Sequence, residues 1–336
     1  MRVLRNYVEL CRLHMLGLGI QCVVGALTVT GASLPVAAFA PLFAVHAITI
    51  AWGFAHNDYN DYELDRLAPA LQNRVLVRGD VSRPAALKLV LVLLGLSVLL
   101  TYAMWPGPVP LSLYVVVALC VVAYNRYSKR FAGSDLLFAT GGSTLIILGA
   151  ATVLPGHDLG QLPRLTWLVF AISFIDHINF NAVLGGIKDV VTDKAQHCNT
   201  LACRNIAVAD DGTMMVGVAF RITALAGTAL MIGLSLLPFT WASYPSYAWQ
   251  IALCVMFAAA TLYYTYRFVS MERHDRDIIE KLARQREMAA KSLMLCMWTS
   301  WIGPLWTLII FAVPATSFLL FNTLMNGNPF RLPKDF

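Results

Sequence analysis

Hydrophobic residues along the chain fall into long runs that are separated by polar connections. Nine runs have the character of membrane-crossing helices, which need about 20 mostly apolar residues; the first and fourth extend into their flanks. They lie near residues 16–30, 35–55, 87–105, 111–122, 136–154, 165–187, 214–237, 249–269 and 293–324. The pattern predicts an all-α membrane protein, a bundle of nine transmembrane helices in which Pro304 and Pro314 kink the last helix.

The polar connections differ in length. Two are long, at about residues 56–86 and 188–213, and a third polar stretch at about 271–292 has the pattern of an amphipathic surface helix. Long polar segments on one face of a bundle can fold over its end and carry chemistry. We therefore expect these segments to cap a single domain that comprises residues 1–336.

Positive charges favour one side of the predicted membrane. Of the 25 Lys and Arg residues, 22 lie in the amino-terminal segment or in the connections after helices two, four, six and eight. The positive-inside rule assigns that side to the cytoplasm. We therefore expect the amino terminus and the cap loops in the cytoplasm, and the carboxy terminus outside.

Composition agrees with a membrane protein. The chain is 58% hydrophobic and 13% charged, whereas a soluble domain carries about 25% charged residues. We expect membrane lipids around the chain and no nucleic acid as a partner. The seven cysteines are scattered without a CxxC pair, which argues against a disulfide framework and against a zinc site.

An acidic cluster opens the first long connection. Asp58, Asp61 and Asp65 are three and four residues apart, so on a helix their carboxylates share one face. Crowded carboxylates repel one another unless a cation relieves them, and magnesium prefers carboxylate and phosphate oxygens. The cluster predicts a magnesium–diphosphate site; the alternative is a solvated acidic turn that caps the second helix.

A second acidic pair opens the other long connection. Asp189 and Asp193 are four residues apart, and alone they would resemble any charged helix end. On the same side of the membrane as the first cluster, they predict the other half of a site in which two metal ions bridge one diphosphate. Cations that can neutralise the phosphates are Arg74, Arg78, Lys129 and Arg130.

With these motifs the chain resembles the UbiA superfamily of intramembrane prenyltransferases over nearly its whole length. The family motif NDxxDxxxD is matched by Asn57, Asp58, Asp61 and Asp65, the motif DxxxD with a downstream Thr-Leu by Asp189, Asp193, Thr200 and Leu201, and a Tyr-x-x-x-x-Lys-Arg element by Tyr124, Lys129 and Arg130. The chain departs from the family at three places: Val75, where proline is usual; Val191-Thr192, where Glu-Gly is common; and His197, where glycine is usual.

The resemblance implies a Mg²⁺-dependent prenyltransferase. Magnesium held by the five motif aspartates would bind a prenyl diphosphate, and nearby cations would stabilise the diphosphate as it leaves. An aromatic or other lipid-precursor acceptor would then attack the prenyl carbocation. The residues that the resemblance and their position favour for substrate binding are Asn57, Arg74, Arg78, Tyr124, Lys129, Arg130 and Lys188.

The sixth predicted helix carries polar residues inside an apolar run. Such groups are costly at membrane depth and usually face a cavity. We hypothesise that Asp176, His177 and Asn181 line the acceptor pocket, and that Asp176 or His177 orients or deprotonates the acceptor. The alternative is a set of hydrogen bonds between helices.

Two other functions remain open on the sequence. The same aspartates would serve a membrane terpene cyclase, in which the cation is trapped within its own chain. The second alternative is a non-catalytic lipid transporter or lipid-binding protein of the same fold. Labelled prenyl diphosphate, incubated with and without candidate acceptors, distinguishes the two enzymes by their products. Magnesium-independent binding without turnover would support the non-catalytic alternative.

Overall fold

A computed structural model describes residues 2–68 and 71–326, most of which are helical. The helices are α1 (Arg2–Leu10), α2 (Gln21–Thr30), α3 (Phe39–Asp65), α4 (Arg83–Met104), α5 (Pro108–Tyr127), α6 (Asp135–Thr152), α7 (Arg164–Ile178), α8 (Gly186–Ala195), α9 (Leu201–Asn205), α10 (Val218–Leu236), α11 (Ala248–Val269) and α12 (Arg276–Asn326). A π-helical segment, Asn179–Gly185, joins α7 to α8. Two strands, β1 (Ile206–Val208) and β2 (Met214–Val216), form an antiparallel hairpin that the sequence did not predict, because three-residue strands are too short to show alternation.

Nine helical stretches of the described residues are long and apolar enough to cross a membrane, which confirms the predicted number. Two of them, Val36–Asp65 and Arg164–Ala195, continue past the predicted ends at residues 55 and 187. Both extensions carry an acidic motif, so these motifs lie on helices and not in loops that begin at the predicted positions. Buried carboxylates in both extensions are paired with cations, so charge repulsion does not end the helix there.

The polar stretch predicted as an amphipathic surface helix forms the start of α12. Ile279 and Leu282 are buried in a core, whereas Ile278 and Met288 are exposed. Arg286, one of the apparent surface charges, is also buried, because carboxylates surround its guanidinium. Partners that lie far away in the sequence therefore decide the position of this helix.

Helical geometry in α12 breaks at Gly303, where φ is 75° and ψ is 172°. Gly303 directly precedes Pro304, and glycine adopts a positive φ without steric cost. The kink predicted at Pro304 is therefore present; the helix assignment continues through Pro314, and the kink predicted there stays a prediction.

The described residues form two compact units, and each has its own core. The first unit comprises the described residues of 1–126, 144–166 and 308–336, and the second comprises 127–143 and 167–307.

In the first unit, the core joins α1, α3 and α4 with the connection between α3 and α4. Leu10, Trp52 and Val75 from these parts are buried together. The unit also contains a close contact of α2 with α6, since a Cβ added to Gly149 would lie 1.9 Å from the carbonyl oxygen of Cys22. Small residues at helix contacts are typical of membrane proteins. The core holds the end of α3, which carries the first acidic motif, against the connection that follows it.

In the second unit, a core surrounds one side of α8. Ile187 and Val190 of α8 are buried with Ile206 and Val216 of the hairpin. The hairpin and α8 therefore share one core, which fixes the helix that carries the second acidic motif.

Candidate active site

The aspartates of the first motif lie on one buried face of α3. Asp58, Asp61 and Asp65 are 6%, 9% and 5% exposed. Glu63, in the same stretch of sequence, is exposed. Asn57 supports this face, because its Nδ2 donates to Oδ2 of Asp61 at 3.1 Å. The predicted helical spacing therefore brings three of the four acidic residues together.

Two arginines neutralise this face. Arg74, in the connection after α3, donates from Nη1 to Oδ1 of Asp58 at 3.4 Å and also to Asp65. Arg12, between α1 and α2, donates to the same oxygen of Asp58 at 2.8 Å. Burial disfavours the charged form of Arg74, yet Asp58 and Asp65 hold the pKa of its guanidinium above the usual range. Arg74 therefore stays charged at every physiological pH.

Arg78, which the sequence suggested as a cation for the phosphates, pairs with carboxylates outside the first motif. Its described ion pairs are with Glu9 at 3.0 Å and with Asp80 at 2.8 Å. The hydrogen bond from Arg78 to Glu9 is the largest influence that raises the pKa of this guanidinium. Arg78 thus ties α1 to the connection after α3, and Arg74 is the arginine of this pair that reaches the motif.

In the second unit, Asp193 is buried and paired with a lysine. Its Oδ1 accepts a hydrogen bond from Nζ of Lys129 at 2.6 Å. Asn199 holds the backbone of this lysine, because its backbone N–H donates to the Lys129 carbonyl at 2.8 Å. The side-chain amide of Asn199 donates to the Arg130 carbonyl at 3.3 Å. The connection after α5 and the connection after α8 therefore meet at the second acidic motif.

Four further candidates have accessible side chains. Asp189 and Lys188 are half-buried on α8, Tyr124 is half-buried near the end of α5 in the first unit, and Arg130 is exposed. None of them is fully buried, so each has surface to offer to a ligand.

The connection after α8 turns at His197, where φ is 55°. This left-handed backbone favours glycine, and histidine is among the residues that tolerate it. Thr200 then caps α9, because its side chain accepts a hydrogen bond from the backbone N–H of Cys203 at 3.2 Å.

Asp176 belongs to a buried charge network between α7 and α12. It is 2% exposed, Arg286 donates to its Oδ1 at 2.9 Å, and Lys291 donates to its Oδ2. Arg286 is also paired with Glu287. This is the interhelical alternative that the sequence left open. Because both of its oxygens are bonded to cations, Asp176 is badly placed to accept a proton from an acceptor.

His177 and Asn181 contact α6. The His177 ring lies 5.3 Å from the Phe138 ring, and a Cβ added to Gly142 would lie 2.7 Å from its Nε2. Nδ2 of Asn181 donates to Oδ1 of Asp135 at 2.6 Å. The acceptor-pocket hypothesis for these two side chains stays a prediction.

The donor set suits magnesium that is shared with a phosphate. Within residues 2–68 and 71–326, no three carboxylate, histidine or cysteine side chains converge closely enough to form a metal cage by themselves. Magnesium usually takes only one or two carboxylates and completes its shell with water and phosphate oxygens. In the first unit, the buried carboxylates of α3 offer such oxygens beside Arg74, which matches a phosphate in charge. In the second unit, Asp193 offers one beside Lys129.

Several partners in these clusters were not predicted as site residues, among them Arg12, Asn199 and Arg286. Arg12 lies 46 residues from Asp58, so no local spacing relates the two. The count of positive charges includes Arg12 and Arg286 but does not reveal their carboxylate partners. Asn199 could have been suspected from the sequence, because it directly precedes the Thr-Leu of the second motif.

Comparisons with known proteins give a family and a fold. A profile of the UbiA prenyltransferase family matches residues 18–285, which include both acidic motifs. Digeranylgeranylglyceryl phosphate synthase of Thermococcus sibiricus is 26% identical over 230 residues, which are 68% of this chain and 77% of that protein. Protoheme IX farnesyltransferase of Yersinia enterocolitica is 30% identical over 142 residues, which are 41% of this chain and 46% of that protein.

Solved structures share the architecture. One from work on digeranylgeranylglyceryl phosphate synthase in membranes has a TM-score of 0.66 at 18% identity, over 90% of this chain and 99% of that one. A UbiA homologue from Archaeoglobus fulgidus bound to GPP and Mg²⁺ has a TM-score of 0.60 at 15% identity, over 87% of this chain and 99% of that one. At these identities, the likeness concerns the fold.

Proposed function

The chain belongs to the UbiA prenyltransferase family, and we propose that it transfers a prenyl group from a prenyl diphosphate to an aromatic or other lipid-precursor acceptor, with release of diphosphate. Mg²⁺ is the proposed cofactor, as in the Archaeoglobus homologue solved with GPP and Mg²⁺. The observation that carries the proposal is the buried triad of Asp58, Asp61 and Asp65 with Arg74 bonded to it. Hard oxygen donors beside a fixed guanidinium suit a metal-bound diphosphate.

We assign the metal to five carboxylates, those of Asp58, Asp61, Asp65, Asp189 and Asp193. Bound magnesium would supply Lewis-acid stabilisation of the leaving diphosphate. Arg74 and Lys129 donate charge-assisted hydrogen bonds to phosphate oxygens, where negative charge develops as the allylic carbon–oxygen bond breaks. Asn57 orients Asp61. The remaining proposed substrate-binding side chains are Arg78, Tyr124, Arg130, His177, Asn181 and Lys188.

The orientation in the membrane is part of the proposal. The positive charges favour a cytoplasmic amino terminus, with the motif-bearing helix ends on the same side. The predicted external carboxy terminus lies outside the described residues. Prenyl diphosphate would then enter from the cytoplasm, and the prenyl chain would lie among the apolar helices.

The test compares two acidic residues of one helix. Asp61 is buried in the triad, whereas Glu63, two residues later, is exposed and pairs with Arg83 at 3.1 Å. In the purified full chain, Asp61→Ala should lower Mg²⁺-dependent release of pyrophosphate from labelled geranyl or geranylgeranyl diphosphate about 100-fold or more, and Glu63→Ala should leave it close to wild type.

Equal effects of the two substitutions, or release that persists in EDTA, would contradict the site. A cyclised hydrocarbon formed without any acceptor would overturn the transferase and identify a cyclase. Magnesium-independent binding without turnover would identify a lipid-binding protein.

A further inference from the structure

The helix that carries Asp189 and Asp193 starts in an unusual way. It follows directly on the π-helical segment Asn179–Gly185. A π segment bonds each residue to the fifth along the chain, so its turns are wider than those of an α-helix. Such segments are rare and are frequently found at functional sites. The directions of the two carboxylates therefore depend on how α8 is held just after this segment.

A histidine side chain bonds to α8 at that point. Nε2 of His274 donates to the carbonyl oxygen of Ile187 at 3.2 Å, in the first turn of α8. The two residues are 87 positions apart in the sequence. The bond therefore joins the connection before α12 to the start of the metal-binding helix.

The segment around His274 is itself fixed by the β-hairpin. The backbone N–H of His274 donates to the carbonyl of Gly212 at 2.9 Å, and the N–H of Met214 donates to the carbonyl of Glu272 at 2.7 Å. Residues 272–274 therefore lie along the hairpin as an added edge. Ile187 also packs into the apolar core that the hairpin shares with α8.

We propose that His274 is a positioning residue for the second metal-binding helix. Its hydrogen bond to Ile187 fixes the rotation of α8 about its axis, and with it the directions of Asp189 and Asp193. The inference rests on the proposed metal-binding role of these aspartates. Because His274 acts through a backbone carbonyl, its loss weakens magnesium binding more than the chemical step. A glutamine, whose amide is also an N–H donor of similar reach, preserves the bond.

The experiment uses the full chain in nanodiscs and two readouts. One is the Mg²⁺ concentration for half-maximal pyrophosphate release, measured together with the turnover at saturating Mg²⁺. The other needs no turnover: it is the Mg²⁺ concentration that half-maximally raises the unfolding temperature in the presence of pyrophosphate. His274→Ala should raise both concentrations about tenfold, as for residues that support metal ligands, with turnover at saturating Mg²⁺ close to wild type.

Two variants control this result. His274→Gln should restore both concentrations. Arg273→Ala should leave them unchanged, because the neighbouring Arg273 donates only to the Asp211 carbonyl, at 3.4 Å, among the side-chain bonds described for it. If His274→Ala does not fold, His274→Leu, which keeps volume and lacks a donor, replaces it.

The inference fails if His274→Ala changes neither concentration, if the glutamine variant does not restore them, or if Arg273→Ala has the same effect. Loss of folding in both the alanine and the leucine variants also overturns it in favour of a purely structural role. Wild type and Asp189→Ala are measured in parallel. If these two release pyrophosphate equally, the proposed function is at fault; if only the His274 comparison fails, the positioning role alone is wrong.

Discussion

Nζ of Lys129 lies 2.6 Å from Oδ1 of Asp193, so a cation from the connection after α5 is bonded to the second acidic motif. We predict that Lys129→Met lowers turnover of prenyl diphosphate about 100-fold, because the charge that we propose to stabilise the leaving diphosphate is lost. Lys129→Arg should retain part of the rate, since its charge remains but its geometry differs. Lys194→Met, on the same helix as Asp193, is the control and should stay near wild type; an equal loss would refute a specific role of Lys129.

Arg74 and Arg78 form a matched pair for the first motif. Arg74 bonds to Asp58 and Asp65, whereas the described partners of Arg78 are Glu9 and Asp80. Arg74→Ala should raise the KM for prenyl diphosphate at least about tenfold, because a charge-assisted hydrogen bond is worth roughly 1.5–3 kcal/mol. Arg78→Ala should change KM less than Arg74→Ala. Steady-state kinetics at saturating Mg²⁺ measure both KM values. A larger increase in KM for Arg78→Ala than for Arg74→Ala would show that Arg78 is the diphosphate ligand.

The network around Asp176 predicts a loss of stability. Asp176→Asn leaves the buried Arg286 without a full counter-charge, and breaking a buried ion pair costs about 3–5 kcal/mol. We expect a marked fall in the unfolding temperature, and partial recovery in Asp176→Leu combined with Arg286→Met. Differential scanning fluorimetry measures both. If Asp176→Asn is as stable as wild type but binds acceptor more weakly, the acceptor-pocket hypothesis takes the place of the network.

The thiol of Cys11 should be unreactive at neutral pH. Burial, with a smaller contribution from Asp58, raises the pKa of this thiol to about 11. Only the thiolate reacts with alkylating agents, so labelling of Cys11 should be slow at pH 7.5 and should accelerate as the pH approaches about 11. Mass spectrometry of iodoacetamide adducts follows the reaction, with the partly exposed Cys203 as the comparison. Labelling of Cys11 at pH 7.5 as fast as that of Cys203 would contradict the prediction.

The sequence predicted the features that depend on patterns over a few neighbouring residues. Apolar runs indicate the number of membrane helices, and the spacing of Asp58, Asp61 and Asp65 indicates their shared face, because both depend on the period of one helix. Arg12 with Asp58, and Asp176 with Arg286, are separated by 46 and 110 residues. No period connects such pairs, and only the packing of helices brings them together.

The same limit applies to Arg286 at the start of α12. Its first turns alternate charged and apolar residues, as a surface helix would. Arg286 is nevertheless buried, because Asp176 and Glu287 compensate its charge. A charged residue in the sequence indicates a surface position only when the core offers it no oppositely charged partner.

Because of the π-helical segment between Asp176 and Asp189, the number of residues between these two aspartates matters for the site. A π-helical turn contains more residues than an α-helical turn, so each residue rotates the chain about the helix axis by a smaller angle. Exchanging one apolar side chain for another in Asn179–Gly185 leaves the directions of the α8 side chains unchanged. Inserting or deleting a single residue rotates every later side chain of the helix about the helix axis. The segment should therefore tolerate substitutions in evolution or in the laboratory far more readily than changes of its length.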